Sequence, residues 1–444
     1  MTSRELVYCL CSAVMASLET RTGLAPVASD EPIRTQRDDL LGRARLADLI
    51  AVQAVSPAPD AGLVIALTGP WGVGKTSVLN LVEESLRAHE HALAIRFNPW
   101  LSSGADLLPA RFLMTLASEF TRLGAPTSVV DAVTDYAASL SDPAAFGDGQ
   151  PRGVAAAAAQ VALSSEAGTR ITESPRDRLA RHLRPYPGRF VVFIDDVDRL
   201  EPEQLRAVIR LVKLIGDLPR ITYVLAFSRE RVEAALRAGD DADVGRGYME
   251  KIVQIEHHLG ATASDRLLAL TLTELRAALR AITDLDDDVL DSDELVTDGV
   301  GALLTSLRQG RRWVNAATGA VWLRGDDIAV EDLLALEALR VCEPDVHGRL
   351  PAIADALTGN RAGRFDRASA TAQQDWQRVQ DVLAIAQNPA ATRTVLAELF
   401  PAARRLLEPA FTEAVERTWR FTAPEQGEAR VADPALLELY LSGN

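Results

Sequence analysis

Four apolar runs of strand length mark the first half of the chain: Leu63–Thr68, His91–Phe97, Arg189–Ile194 and Ile221–Phe227. A shorter run, Lys251–Glu256, reads as a fifth strand. The longer runs do not alternate apolar with polar residues. They are apolar on both faces, the pattern of a parallel sheet covered on each side by helices. Between them lie amphipathic stretches of helical period. One opens at Asp38 and reaches about Val55, one runs from Ser77 to about Glu90, one spans Pro202–Ile215, and one ends near Ala238. Residues 105–183 read as helical and irregular, punctuated by Pro126, Pro143, Pro151 and Pro175. From about residue 262 the period is helical to residue 444. Strands alternating with helices, then helices alone, predict an α/β core followed by a helical module.

The junction after the first strand carries the clearest chemistry. Gly69-Pro70-Trp71-Gly72-Val73-Gly74-Lys75-Thr76 has the spacing Gly, four residues, Gly-Lys-Thr, and Ser77 follows inside the next helix. Glycines let the backbone curl so that successive N–H groups converge on phosphate oxygens, and the helix N-terminus adds its positive end to the same spot. In such a cradle Lys75 reaches the β- and γ-phosphates, and the Thr76 hydroxyl holds Mg²⁺.

A second signal sits at the end of the third strand, where Asp195-Asp196 follows Phe-Val-Val-Phe-Ile. Open α/β sheets bind ligands beyond the carboxyl ends of their strands. There Asp195 would hold Mg²⁺, and Asp196 would orient or deprotonate an attacking water. The fourth strand ends at Ser228, whose side chain is short for sensing a γ-phosphate.

Composition narrows the field. The chain has 47 Lys+Arg against 62 Asp+Glu, a net charge of -15, so non-specific nucleic-acid binding by the chain alone is not expected. Lysine occurs only at Lys75, Lys213 and Lys251, so Arg carries nearly all the positive charge while a Lys is kept in the glycine loop. Cys9, Cys11 and Cys342 form no disulfide framework and fit a reducing compartment. The apolar runs Leu6–Leu18 and Val154–Leu163 fall short of the roughly 20 residues that span a bilayer. Leu6–Leu18 reads as an amphipathic docking helix, and a cytoplasmic protein is expected.

Several other features read as ordinary surface. Arg206, Arg210 and Lys213 share one helix face, more simply a solvated basic face than a partner surface. The acidic stretch Asp284–Glu294 lacks the glycine and closing Glu of a calcium loop. His257-His258 reads as a pair in a loop. The run Ser306 to Asn315 opens a basic helix inside an acidic region, where Arg308, Arg311 and Arg312 could reach phosphates or bind the helical tail.

Taken together, Gly-Pro-Trp-Gly-x-Gly-Lys-Thr-Ser, Phe97-Asn98-Pro99-Trp100 and Asp195-Asp196-Val197-Asp198-Arg199 resemble the KAP-family P-loop NTPases. Asp39-Leu-Leu-Gly42-Arg43, Tyr248-Met-Glu250-Lys251-Ile252 and Arg308 through Asn315 fit the same pattern, so the resemblance covers roughly residues 30–345. It implies a mainly parallel five-stranded core of the additional-strand type, with a helical insert and a helical C-terminal module. It further implies phosphate and Mg²⁺ roles for Lys75 and Thr76, a Mg²⁺ role for Asp195, and a γ-phosphate sensor at Arg308 or Arg312. The expected division is an N-terminal helix and linker (1–29), a P-loop core (30–260, insert about 105–183), a helical lid (261–345) and a C-terminal helical region (346–444). Many members of the family carry membrane helices in the insert, but here the insert is not apolar enough to span.

These residues lead to the expectation of a Mg²⁺-dependent ATPase that works as a nucleotide-driven switch, with protein partners or as a homo-oligomer. Family analogy adds bacterial antiphage defence. A non-hydrolysing ATP-binding scaffold is the alternative. No base-reading motif separates ATP from GTP, and ATP is the family expectation.

Overall fold

The computed structural model describes residues 27–56, 58, 60–101, 108–141, 173–237, 249–283, 295–359, 368–409 and 429–442. The expected N-terminal helix with Cys9 and Cys11, the run Val154–Leu163 and the stretch Asp284–Glu294 lie outside the described residues. The chain divides into two compact units, Pro32–Ala261 and a second that joins the segment ending at Glu31 to Thr262 onwards.

The first unit is built on β1 (Leu63–Thr68), β2 (Ala92–Phe97), β3 (Arg189–Ile194), β4 (Ile221–Phe227) and β5 (Ile255–His258). All pairings are parallel, in the order β2-β3-β4-β1-β5. Every residue of β1, β3 and β4 is buried, which is why these strands read as unbroken apolar runs. Among the described residues, the helices that accompany the sheet are α1 (Ala44–Val55), α2 (Lys75–Leu86), α3 (Leu108–Arg122), α4 (Thr127–Ser141), α5 (Pro175–Leu183), α6 (Pro202–Ile215) and α7 (Arg229–Arg237).

Because successive side chains of a strand point to opposite faces, β1 serves two cores at once. Val64 and Ala66 pack with α3, α4 and α6 through residues such as Phe112, Val133 and Val208. Ile65 and Leu67 pack with α1 and α2 through Ile50, Leu79 and Val82. Phe97 meets Phe112 edge-on, with ring centroids 4.9 Å apart. Arg189 is buried at the entry to β3, where its guanidinium donates to the carbonyls of Ala58 (2.9 Å) and Ala61 (3.2 Å) and ties down the loop before β1.

Two elements differ from the sequence expectation. The helix expected from Asp38 begins at Ala44 instead. Gly42 stands at φ 70°, which breaks the helical path, and the Asp39 carboxylate accepts from the N–H groups of Leu41 (3.2 Å) and Ala44 (2.8 Å) across the break. The fifth strand is not Lys251–Glu256 but Ile255–His258, so His257 and His258 are strand residues and not a loop pair. Met249 and Ile252, three apart, are buried as one helical turn. The strand starts where Ile255 comes into register with Ile65, after Gln254 has capped the Val64 N–H with its side-chain carbonyl (2.7 Å).

Among its described residues the second unit has helices and no strand. Its principal helices are α8 (Ser264–Leu279), α9 (Leu307–Arg324), α10 (Val330–Cys342), α11 (Pro344–His347), α12 (Leu350–Thr358), α13 (Ala368–Leu383), α14 (Pro389–Leu399) and α15 (Pro434–Leu441). Trp313 on α9 is fully buried in its core and donates its indole N–H to the Leu334 carbonyl (2.8 Å). Helix α9 starts with Ser306 as N-cap, accepting from the Gln309 N–H at 3.2 Å. Gly310 lets α9 approach α8, since a Cβ there would lie 2.5 Å from the Thr271 hydroxyl. Burial pushes the Cys342 thiol up to about 12, so it behaves as a small apolar residue. Among the described residues no helix is long and apolar enough to cross a membrane.

Candidate functional site

The loop from Gly69 to Gly74 leaves β1 at its carboxyl end and enters α2 at Lys75. Gly72 and Gly74 stand at φ 81° and 100°, the left-handed region that side chains disfavour, so the turn needs glycine at both. Gly69 is required for a different reason: a Cβ there would sit 2.5 Å from the Leu259 carbonyl oxygen. The first N–H groups of α2, from Lys75, Thr76 and Ser77, have no partner within their own helix and face the loop's opening end.

Lys75 is 9% exposed, and its ammonium donates to the carbonyls of Gly69 and Pro70, each at 3.0 Å. Thus the loop closes on its own lysine. Burial pushes the Lys75 pKa down, while Asp198, Asp195 and Asp196, in falling order of effect, pull it back up. A cation held by weak carbonyl acceptors, within the field of three carboxylates, suits a group that must be freed for an incoming phosphate.

The acids come from β3. Asp195 follows the strand, and its carboxylate accepts from the Asp196 N–H at 2.8 Å. Asp196 sits at φ 55°, an uncommon left-handed conformation for a residue with a side chain. That turn directs its carboxylate to Arg199, with Nε 2.9 Å away. Burial, and then the charge of Asp195, raise the Asp196 pKa, against the opposing pull of Arg199. A donor set of one threonine hydroxyl at the start of α2 and carboxylates at the end of β3 matches the hard oxygen ligands that Mg²⁺ prefers. The residue types present therefore fit the ion, which Thr76 and Asp195 would hold.

Three residues at this end of the sheet were not singled out from the sequence. Arg43, the N-cap of α1, donates its guanidinium to the Val73 carbonyl inside the glycine loop. Glu256 of β5 accepts from the Thr68 hydroxyl at 2.9 Å, one residue before the loop, and is paired with Arg229. Asp198 accepts from the Ser228 N–H at 3.2 Å. A lone acid inside a short strand, such as Glu256, was the available signal; Arg43 and Asp198 lay in motif pieces that carried no role.

Lys75, Thr76, Ser77, Asp195 and Asp196 all lie in the first unit. Arg308 and Arg312 belong to the second. There Arg308 lies 3.9 Å from Asp30, Arg311 is paired with Glu274 at 3.0 Å, and Arg312 is exposed. Arg311 also donates to the Ser29 carbonyl, and Asn315 both accepts from and donates to the backbone of Ala28 (2.7 and 2.9 Å). Trp71 and Trp100 are about half exposed, at 53% and 48%.

Residues 43–319 match the model of the KAP family P-loop domain. The phage T7 exclusion protein of Escherichia coli (strain K12) is 27% identical over 362 residues, which cover 75% of this chain and 48% of the relative. The chain thus spans about half the length of that relative. Among solved structures, the Aeropyrum pernix ORC2 protein, in ADPNP-ADP complexes, aligns with a TM-score of 0.34 and 16% identity over 83% of this chain and 86% of that one. A mutant RuvB of Thermotoga maritima aligns with a TM-score of 0.32 and 12% identity over 82% of this chain and 89% of that one.

Proposed function

Because this chain belongs to the KAP family of P-loop NTPases, we propose that it binds ATP with Mg²⁺ and hydrolyses it as a nucleotide-driven switch. The observation that carries this reading is the Lys75 ammonium, buried on two loop carbonyls in the field of the β3 acids. On binding, Lys75 exchanges those carbonyls for phosphate oxygens, which are stronger, charged acceptors. The N–H groups of the loop and of the first turn of α2 take the remaining phosphate oxygens. Thr76 and Asp195 would hold Mg²⁺, which would supply charge neutralisation for the phosphates. Asp196 orients the attacking water and, with its raised pKa, is a better proton acceptor than an ordinary carboxylate. Arg308 or Arg312 reads the γ-phosphate, as the family resemblance implies, so that the helical unit responds to nucleotide state. Arg312→Ala leaving turnover, binding and oligomeric state unchanged would remove that residue from the scheme.

The named function of the E. coli relative, phage exclusion, supports antiphage defence as the setting. A second reading, an ATP-holding scaffold with negligible turnover, is favoured by one feature: Asp196 is engaged by Arg199 and not turned loose in the site. Calorimetry with Mg-ATP and Mg-GTP tests binding. Wild type binds and Lys75→Ala does not; equal affinity in the two proteins contradicts the proposal.

A further inference from the structure

Strand β2 ends at Phe97, and the parallel register pairs Phe97 with Ile194 of β3. One step further along both chains, Asn98 stands beside Asp195. Ile95 and Phe97 pack into the core under α3 and α4, so Arg96 and Asn98 take the opposite face, and Pro99 favours extended backbone at the residue before it. Arg96 marks that face: its guanidinium donates to Asn80 (2.7 Å) and Glu83 (2.6 Å) of α2. Val191 and Phe193 of β3 also pack towards α2, which sets Asp195 on the same face. Helix α2 starts beyond the carboxyl end of β1 and returns along the sheet. Two strand residues advance about 6.6 Å, the rise of about four helical residues, so from Arg96 beside Asn80 the chain reaches Asn98 at the level of Thr76.

The Asn98 carboxamide is not used locally. An asparagine ahead of a proline-opened turn ordinarily caps it through Oδ1, and the turn Pro99–Leu101 follows here. Yet Asn98 Oδ1 is buried and meets no donor among the described residues. A buried acceptor without a donor is destabilising, so a turn-capping role does not account for it. The turn Pro99–Leu101 packs against Val197–Arg199, which follows the acids of β3, and this fixes Asn98 beside them.

We propose that Asn98 is a positioning residue of the phosphate site: its Oδ1 accepts from a water of the Mg²⁺ shell and so orients the ion on Thr76 and Asp195. The inference rests on the reading of the Lys75 loop and Asp195 as the Mg-ATP site. Mg²⁺ keeps several waters when it binds protein, and outer-shell acceptors direct them. Asp196 is turned onto Arg199 and Asp198 accepts from the Ser228 N–H, whereas the Asn98 acceptor is unengaged among the described residues.

The full chain is titrated with ATP by calorimetry, once with Mg²⁺ and once with EDTA, as wild type, Asn98→Ala and Asn98→Asp. Asn98→Ala binds ATP in EDTA within about twofold of wild type, but the gain in affinity that Mg²⁺ brings falls by about tenfold. Asn98→Asp keeps an oxygen acceptor at the same reach and retains most of the gain. Melting of the nucleotide-free chain separates this from a structural role: Asn98→Ala removes an unmet acceptor and melts no lower than wild type. A gain from Mg²⁺ in Asn98→Ala equal to that of wild type overturns the proposal. So does a gain lost equally in Asn98→Asp together with a lower melting temperature in both variants. A wild type that does not bind ATP, or binds it with no gain from Mg²⁺, overturns the reading of the site and the role of Asn98 with it.

Discussion

Asp196 and Arg199 form an ion pair across one turn, with the guanidinium Nε 2.9 Å from the carboxylate. The pair opposes the burial that raises the pKa of the residue assigned to the attacking water. Burial and Asp195 raise the Asp196 pKa, and Arg199 opposes them. The acid limb of the turnover-pH profile therefore lies above that of an unshifted aspartate. Arg199→Ala removes the opposing charge and moves that limb to still higher pH. A limb that moves to lower pH in Arg199→Ala contradicts the assignment of Asp196 as the group being titrated.

Asp195 follows β3 and is the acid assigned to the metal. Asp195→Ala leaves the phosphate cradle intact, so nucleotide still binds, but affinity no longer rises when Mg²⁺ is added. Calorimetry with and without EDTA measures this directly. A full Mg²⁺ dependence in the variant would place the metal elsewhere.

Glu343, 2% exposed, accepts from the N–H groups of Gln387 and Asn388, both at 2.7 Å, ahead of α14. Glu343→Ala leaves two part-buried donors without their acceptor and costs about 1–2 kcal/mol. Denaturant unfolding followed by circular dichroism reads this as a lower midpoint. Glu343→Gln keeps one acceptor and loses less.

His347 is held neutral. Burial, and then the Arg340 charge, lower its pKa to about 4, and its Nε2 lies 3.0 Å from the Tyr440 hydroxyl, which donates to Glu337 at 3.1 Å. In the unfolded chain the same ring titrates near 6.5. Between these values the unfolded state binds more protons, so stability falls as pH drops from about 6.5 towards 4. Allowing for the partial exposure of the ring, the loss is roughly 1–2 kcal/mol. His347→Phe flattens this slope in melting temperatures measured across the same range; an unaltered slope assigns it to other groups.

The sheet and the glycine loop were legible in the sequence for a physical reason. β1, β3 and β4 are buried on both faces, so each leaves a continuous apolar run whose ends can be read directly. The glycine loop is legible because its φ values admit little but glycine. The short edge strand β5 is half exposed and leaves no such run, so its start at Ile255 was not legible. The hydrogen bonds that join the strand ends were not legible either. Thr68 and Glu256 are 188 residues apart, and no local pattern records which strand ends will meet. The same holds for Arg43, which reaches across 30 residues to the Val73 carbonyl.

The most direct test of the account is phosphate release by the purified chain with Mg-ATP, measured beside Lys75→Ala and Asp196→Asn. The account predicts turnover in wild type that both variants lose, Lys75→Ala because it no longer binds and Asp196→Asn while it still binds. Turnover that persists in Asp196→Asn would contradict the role given to Asp196, and nucleotide bound tightly by a wild type that releases no phosphate would contradict hydrolysis and leave the scaffold reading in its place.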